Sequence, residues 1–248
     1  MAAAAFWGFF AAGSLLLGAA LALWRPWSMR TIGLVMAFGT GVLFSSVAFD
    51  LVEDALDTGG GRPTTAGIAL GAVAYFVGDM LVSRRGAANR KSALPGGRST
   101  DPDEEGNPAA IVVGAVLDGI PESVAIGISL LEGGHIGGVF VAAVFLSNIP
   151  EAMSASAGLS NQGRTAGSIF RLWAIVVAAS TLASVAGYAL LDGTSVDTIA
   201  FLSAFAAGAV LTMLASTMVP EAARQGGPVS GLVTSGGFLL AVMLDYLT

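Results

Sequence analysis

The chain has no cysteine, which excludes disulfides, zinc–thiolate centres and cysteine nucleophiles. Histidine is nearly absent. The single one, His135, falls in a glycine-rich turn, where a lone histidine is more often solvated than a ligand. Charge is scarce: 11% of the 248 residues are Asp, Glu, Lys or Arg, against about 25% in a soluble domain. No nucleotide-binding motif is visible. What remains is apolar. Hydrophobic residues make up 54% of the chain, and the mean hydropathy is +0.78. The 34 glycines fit close helix packing in lipid. The net charge of -6 says little about partners, because several acids lie inside apolar stretches.

This pattern predicts an all-α polytopic membrane protein, a single transmembrane domain over 1–248. A span needs about 20 apolar residues. Eight candidates occur, at roughly 4–23, 30–55, 65–83, 108–131, 136–159, 168–191, 197–219 and 228–247. The first has no positive n-region, since Arg25 and Arg30 follow it, so it reads as a retained span rather than a signal peptide. Ten of the eleven basic residues fall in odd-numbered connections; only Arg62 does not. The positive-inside rule makes that side cytoplasmic and both termini external. The stretch 84–107, with its Asp101-Pro102-Asp103-Glu104-Glu105 run, is then a cytoplasmic loop, expected to be disordered. Net acidity and low lysine fit a bacterium with a GC-rich genome, hence an inner-membrane location. Lipid is the expected surrounding. Nothing points to nucleic acid, and a homodimer is left open.

The chain also aligns with itself. Ala37–Ala55 (AFGTGVLFSSVAFDLVEDA) matches Ala204–Ala222 (AFAAGAVLTMLASTMVPEA) without a gap, and Gly71 and Asp79 fall on Gly237 and Asp245. The paired spans are an odd number apart and so run in opposite directions. An inverted repeat of three spans with two between the halves, 3+2+3, follows. Transporters use that design around a midplane site.

The two intervening spans carry the chemistry. Asp118-Gly119-Ile120-Pro121-Glu122 and Ser147-Asn148-Ile149-Pro150-Glu151 each place proline and a carboxylate near mid-span. Each proline frees the carbonyl four residues back, Leu117 or Leu146. Positions three and four apart share a helix face, so Asp118 pairs with Glu122 and Ser147 with Glu151, with Asn148 beside them. Neither span holds Lys or Arg, so no salt bridge within the span explains the acids. Carboxylates packed together repel unless a proton or cation intervenes. The expectation is an oxygen-rich cation site between spans four and five. The bland alternative is kinked helices whose acids pair with hydroxyls.

Asp50, Glu53 and Asp54 close span two. They read as an entry funnel that concentrates cations, or equally as solvated helix-end carboxylates. Glu221, after Pro220, is placed at a cytoplasmic exit. Asp79 and Asp245 read as structural, and Met213 and Met218 as packing.

With these motifs the chain resembles the ZIP (Zrt-, Irt-like) family of divalent metal transporters. The resemblance implies eight spans, external termini, a 3+2+3 arrangement and a metal site on spans four and five. Family motifs of the form H-N-x-P-E-G and [HQ]-[DEN]-x-P-E-G read here D-G-I-P-E-S and S-N-I-P-E-A. The ligand set implied is Asp118, Glu122, Asn148 and Glu151, with Ser147 at the second motif's His/Gln position. Asp118 and Gly119 replace the histidine and asparagine of the first. Span two, usually ending H-L-x-P-E-A, has Asp50 on the histidine and Asp54 on the glutamate. A glutamate common in span six has no counterpart, and Ser184 stands nearest its place.

Loss of imidazole has a direction. Imidazole suits Zn, Cu, Fe and Ni, whereas carboxylate and carbonyl suit Mg, Ca and Mn. The expected activity is gradient-driven movement of a divalent ion (Zn, Mn, Fe or Mg, as transported substrate) towards the cytoplasm, without enzymatic chemistry. Two alternatives are a non-transporting homologue that senses or scaffolds, and an intramembrane aspartyl protease pairing Asp50 with Asp118. Against the protease, Phe76-Val77-Gly78-Asp79 lacks the first glycine of G-x-G-D.

Overall fold

The computed structural model describes residues 1–82, 108–131 and 138–247, apart from the side chains of 108–111. The expected loop 84–107 and His135 lie outside the described residues. The described chain is all-helical: α1 (Ala2–Trp24), α2 (Met29–Ser46), α3 (Asp54–Gly59), α4 (Gly61–Val82), α5 (Pro108–Ser129), α6 (Gly138–Asn161), α7 (Ala166–Leu191), α8 (Val196–Met213), α9 (Val219–Gly226) and α10 (Ser230–Leu247). A π-helical segment, Val47–Glu53, joins α2 to α3. A second, Leu214–Met218, joins α8 to α9. Seven helical stretches among the described residues are long and apolar enough to cross a membrane.

Their ends follow ordinary capping chemistry. Ser28, Thr165 and Ser195 stand just before α2, α7 and α8, and each side chain accepts from the backbone N–H three residues on. Arg62, read as a connection residue, lies in the first turn of α4. At the α1–α2 turn the Arg25 guanidinium stacks over Trp27 at 4.2 Å, and Trp27 donates to the Leu21 carbonyl at 2.9 Å. That pairing suits a membrane–water boundary.

The last apolar stretch, Val196–Leu247, has 52 residues. Gly227 ends α9 at φ 74, a left-handed conformation that glycine adopts without a side-chain clash, and Pro228 follows. The chain reverses there. Gly33, near the start of α2, touches Gln225 and the Gly226 nitrogen, while Gly41 further along α2 meets Thr234 and Phe238. Thus α9 ends, and α10 begins, beside the start of α2.

Small residues let backbones meet. A Cβ at Gly41 would strike the Thr234 carbonyl, and one at Gly237 the Phe38 carbonyl. Likewise a Cβ at Gly208 would strike the Ile68 carbonyl, and one at Gly71 the Phe205 carbonyl. These are the same contacts on aligned positions, since Phe38 and Gly41 align with Phe205 and Gly208, and Gly71 with Gly237. The α2–α10 and α4–α8 packings are therefore built alike. The two π-helical segments begin at aligned residues too, Val47 and Leu214. Gly60 and Gly227, with φ 75 and 74, close α3 and α9 in the same register.

Two large apolar cores result. One draws on α2, α6, α8 and both π-helical segments, through Met36, Leu43, Val47, Phe140, Val144, Val210 and Leu214 among others. The second draws on α1, α6 and α7, through Leu15, Leu159, Leu172, Trp173 and Val176. Helices α5 and α6 supply residues to both. Outward faces are apolar as well: Leu70, Val73 and Phe76 on α4, Leu182 and Leu190 on α7, and Leu232 and Leu239 on α10 are all exposed. Exposed apolar surface of that extent suits lipid rather than water.

Candidate functional site

Helices α5 and α6 run unbroken through Pro121 and Pro150. Each passes from one apolar core to the other across its acidic motif. On α5, Ala115 belongs to the core with Trp173, and Ala125 and Ile126 belong to the core with Phe140. On α6, Val144 and Ala152 stand on either side of the same divide. The motifs thus sit where two apolar packings meet. A polar group there has access to partners that neither core alone supplies.

Among the described residues four acids are buried: Asp118 is 2% exposed, Glu122 3%, Glu151 9% and Glu221 3%. An ionised carboxylate removed from water costs several kcal/mol unless it is paired or hydrogen-bonded. Asp118 accepts a hydrogen bond from the Tyr75 hydroxyl of α4. Glu221, at the start of α9, accepts from Ser154 Oγ of α6 at 2.8 Å and from Gln225 Nε2 at 2.8 Å. Gln225 also reaches Ser154 at 3.3 Å, closing a three-member polar link between α6 and α9. Glu221 is buried, and its partner Ser154 stands one turn along α6 from Glu151.

Asn148 and Ser147 are buried on α6. The Asn148 amide donates to the Ala11 carbonyl of α1 at 3.3 Å, a use that engages its nitrogen and keeps the amide oxygen as the acceptor. Ser147 donates to Val144 O of its own helix at 3.0 Å, and its Cα lies 3.0 Å from where a Cβ of Gly39 would stand. Ser184 donates to the Ala4 carbonyl at 3.0 Å and so faces α1. Asp50 and Glu53 lie in the first π-helical segment, and Asp54 begins α3. Glu53 and Asp54 are exposed. Asp50 is half-buried, with the Ser46 hydroxyl one turn earlier on the same helical stretch. π-Helical turns widen the helix locally and recur at functional sites.

α5 packs chiefly on α7 and α8, and α6 on α1 and α2. Among the described residues, no three of Asp, Glu and His lie close enough together to hold one metal ion. Sequence reasoning missed Tyr75, Ser154 and Gln225. Tyr75 carried a signal: it is a tyrosine in mid-span, and such a hydroxyl needs an acceptor when buried. Ser154 and Gln225 carried none beyond helical spacing, three from Glu151 and four from Glu221.

No family model matches the chain. Over 200 residues, 79% of its length, it is 24% identical to an Arabidopsis thaliana protein named "Putative zinc transporter". The chain spans about a third of that protein, the matched part being 30% of its length. The likeness relates the chain to a protein named as a metal transporter, and its apolar helices are those of a membrane protein.

Proposed function

We propose that the protein is a ZIP-like transporter that moves a divalent metal ion across the membrane towards the cytoplasm. One observation carries the reading. Asp118, Glu122 and Glu151 are buried in two apolar helices whose sequences contain no Lys or Arg. An ionisable group at membrane depth marks an ion or proton path by default. Three on adjacent spans favour a cation, since carboxylates brought together repel without one. The resemblance to ZIP motifs and the likeness to the Arabidopsis protein support the same class.

In this reading the ion is held by Asp118, Glu122, Asn148 and Glu151. The described conformation brings no three acids together, so loading draws α5 and α6 towards each other around the ion. Ser147, committed to its own helix, contributes only after rotation. Asp50, Glu53 and Asp54 gather cations at the outer end, and Glu221 receives the ion on the inner side. The reversal at Gly227 supports reading Val196–Leu247 as two crossings, hence eight spans in a 3+2+3 plan, and the distribution of basic residues supports external termini. The paired glycine contacts and paired π-helical segments support an inverted repeat.

Replacing imidazole by oxygen ligands shifts preference from Zn towards harder ions such as Mn or Mg, with Fe(II) between them. The test is uptake into proteoliposomes holding the purified full chain, with Zn, Mn, Fe(II) and Mg each competing against a labelled ion. Saturable uptake, with Mn or Fe(II) the best competitor, is expected. Absence of uptake together with unaltered binding would favour a sensing or scaffolding homologue instead.

A further inference from the structure

On α4 only Thr64, Gly67, Gly71 and Tyr75 are buried, and their spacing puts them on one helix face. The two glycines bring α4 close to α8. Tyr75 is the exception. It is large, 3% exposed, and reaches past that seam to α5, where its hydroxyl donates to Asp118 Oδ1. The approach is local and close: a Cβ at Gly78, one turn on, would lie 3.1 Å from the Leu117 side chain beside Asp118. The aligned position on α10 is Ala241, so the repeat offers no second phenol.

We propose that Tyr75 is a positioning residue that sets metal selectivity, its hydroxyl engaging one oxygen of Asp118 so that this carboxylate meets an ion through a single oxygen. The proposal rests on the metal-transport reading and adds to it. Groups hydrogen-bonded to a ligand fix its orientation and tune its affinity. A carboxylate limited to one oxygen suits small ions with near-octahedral shells. Larger ions such as Ca²⁺ accept bidentate carboxylates. Removing the phenol hydroxyl takes its hydrogen bond off Oδ1, makes two-oxygen contact with an ion easier and moves preference towards the larger ion. A tyrosine that merely fills space would leave that preference unchanged.

The experiment is direct binding of Mn²⁺ and, separately, Ca²⁺ to the purified full chain in detergent, for wild type, Tyr75→Phe, Asp118→Asn and the double variant. Tyr75→Phe is expected to weaken Mn²⁺ by about tenfold or more while Ca²⁺ weakens less or tightens. In the Asp118→Asn background the same change should have no further effect. Equal Mn²⁺/Ca²⁺ preference in wild type and Tyr75→Phe overturns the proposal, as does a loss that persists with Asp118→Asn. Should Tyr75→Phe fail to fold, Asp118→Glu shifts the carboxylate relative to the fixed phenol; unchanged preference there overturns it equally. Wild type that binds neither ion removes the metal reading and this inference together. Wild type that binds, with variants that match it, removes the inference alone.

Discussion

At the residue scale the account depends on oxygen ligands in place of nitrogen. Glu122→Ala and Glu151→Ala each remove a charged oxygen that a freed Leu117 or Leu146 carbonyl cannot replace. Uptake in proteoliposomes should fall to background in both, with unchanged elution on size exclusion. Wild-type uptake in either would place the path elsewhere. Asp118→His restores the nitrogen expected from the ZIP motif and should move competition towards zinc; no change in the order of competing ions would contradict the ligand-hardness argument. The candidate acids were legible because a carboxylate in an apolar span is rare, and Asp118, Glu122 and Glu151 are indeed buried. Their partners were not legible. Tyr75 lies 43 residues from Asp118, and Ser154 lies 67 from Glu221, and no local spacing rule reaches across helices.

At the element scale, glycine decides how close the helices come. The alignment of Ala37–Ala55 with Ala204–Ala222 marked Gly41 and Gly208 as equivalent, and each meets a facing carbonyl in the same manner. Backbone cannot yield as a side-chain tip can, so Gly41→Val and Gly208→Val should each destabilise by about 1–3 kcal/mol or more. The check is the thermal midpoint of the purified protein in detergent, and a midpoint equal to wild type would show that the seam is not tight. Ser154→Ala removes the α6 donor to buried Glu221 and should cost about 1–3 kcal/mol, read in the same assay. Helix positions came out close to the apolar runs, for instance Ala166–Leu191 against an expected 168–191. The π-helical segments were hidden, because an added residue per turn leaves no mark in composition. Pro220 did hint at one: its missing donor lies just after Leu214–Met218.

At the scale of the whole molecule, the distribution of arginine predicts an orientation. The absence of cysteine makes single-cysteine labelling clean. Ser28→Cys and Gln162→Cys should react only with reagents that reach the cytoplasm, and Thr194→Cys with impermeant reagents added outside. The reverse pattern would invert the topology and the direction of transport inferred from it. The membrane class was readable from hydropathy alone. The convergence of α5 and α6 on one ion is an expectation from their motifs, whereas the packing described, α5 on α7 and α8 and α6 on α1 and α2, left no mark in those motifs. That convergence is the central claim. Anomalous scattering from crystals grown with saturating Mn²⁺, Zn²⁺ or Cd²⁺ tests it most directly. The account predicts a peak bounded by Asp118, Glu122, Asn148 and Glu151, lost in Glu122→Ala. A peak confined to other residues, or none at saturating ion, would contradict it.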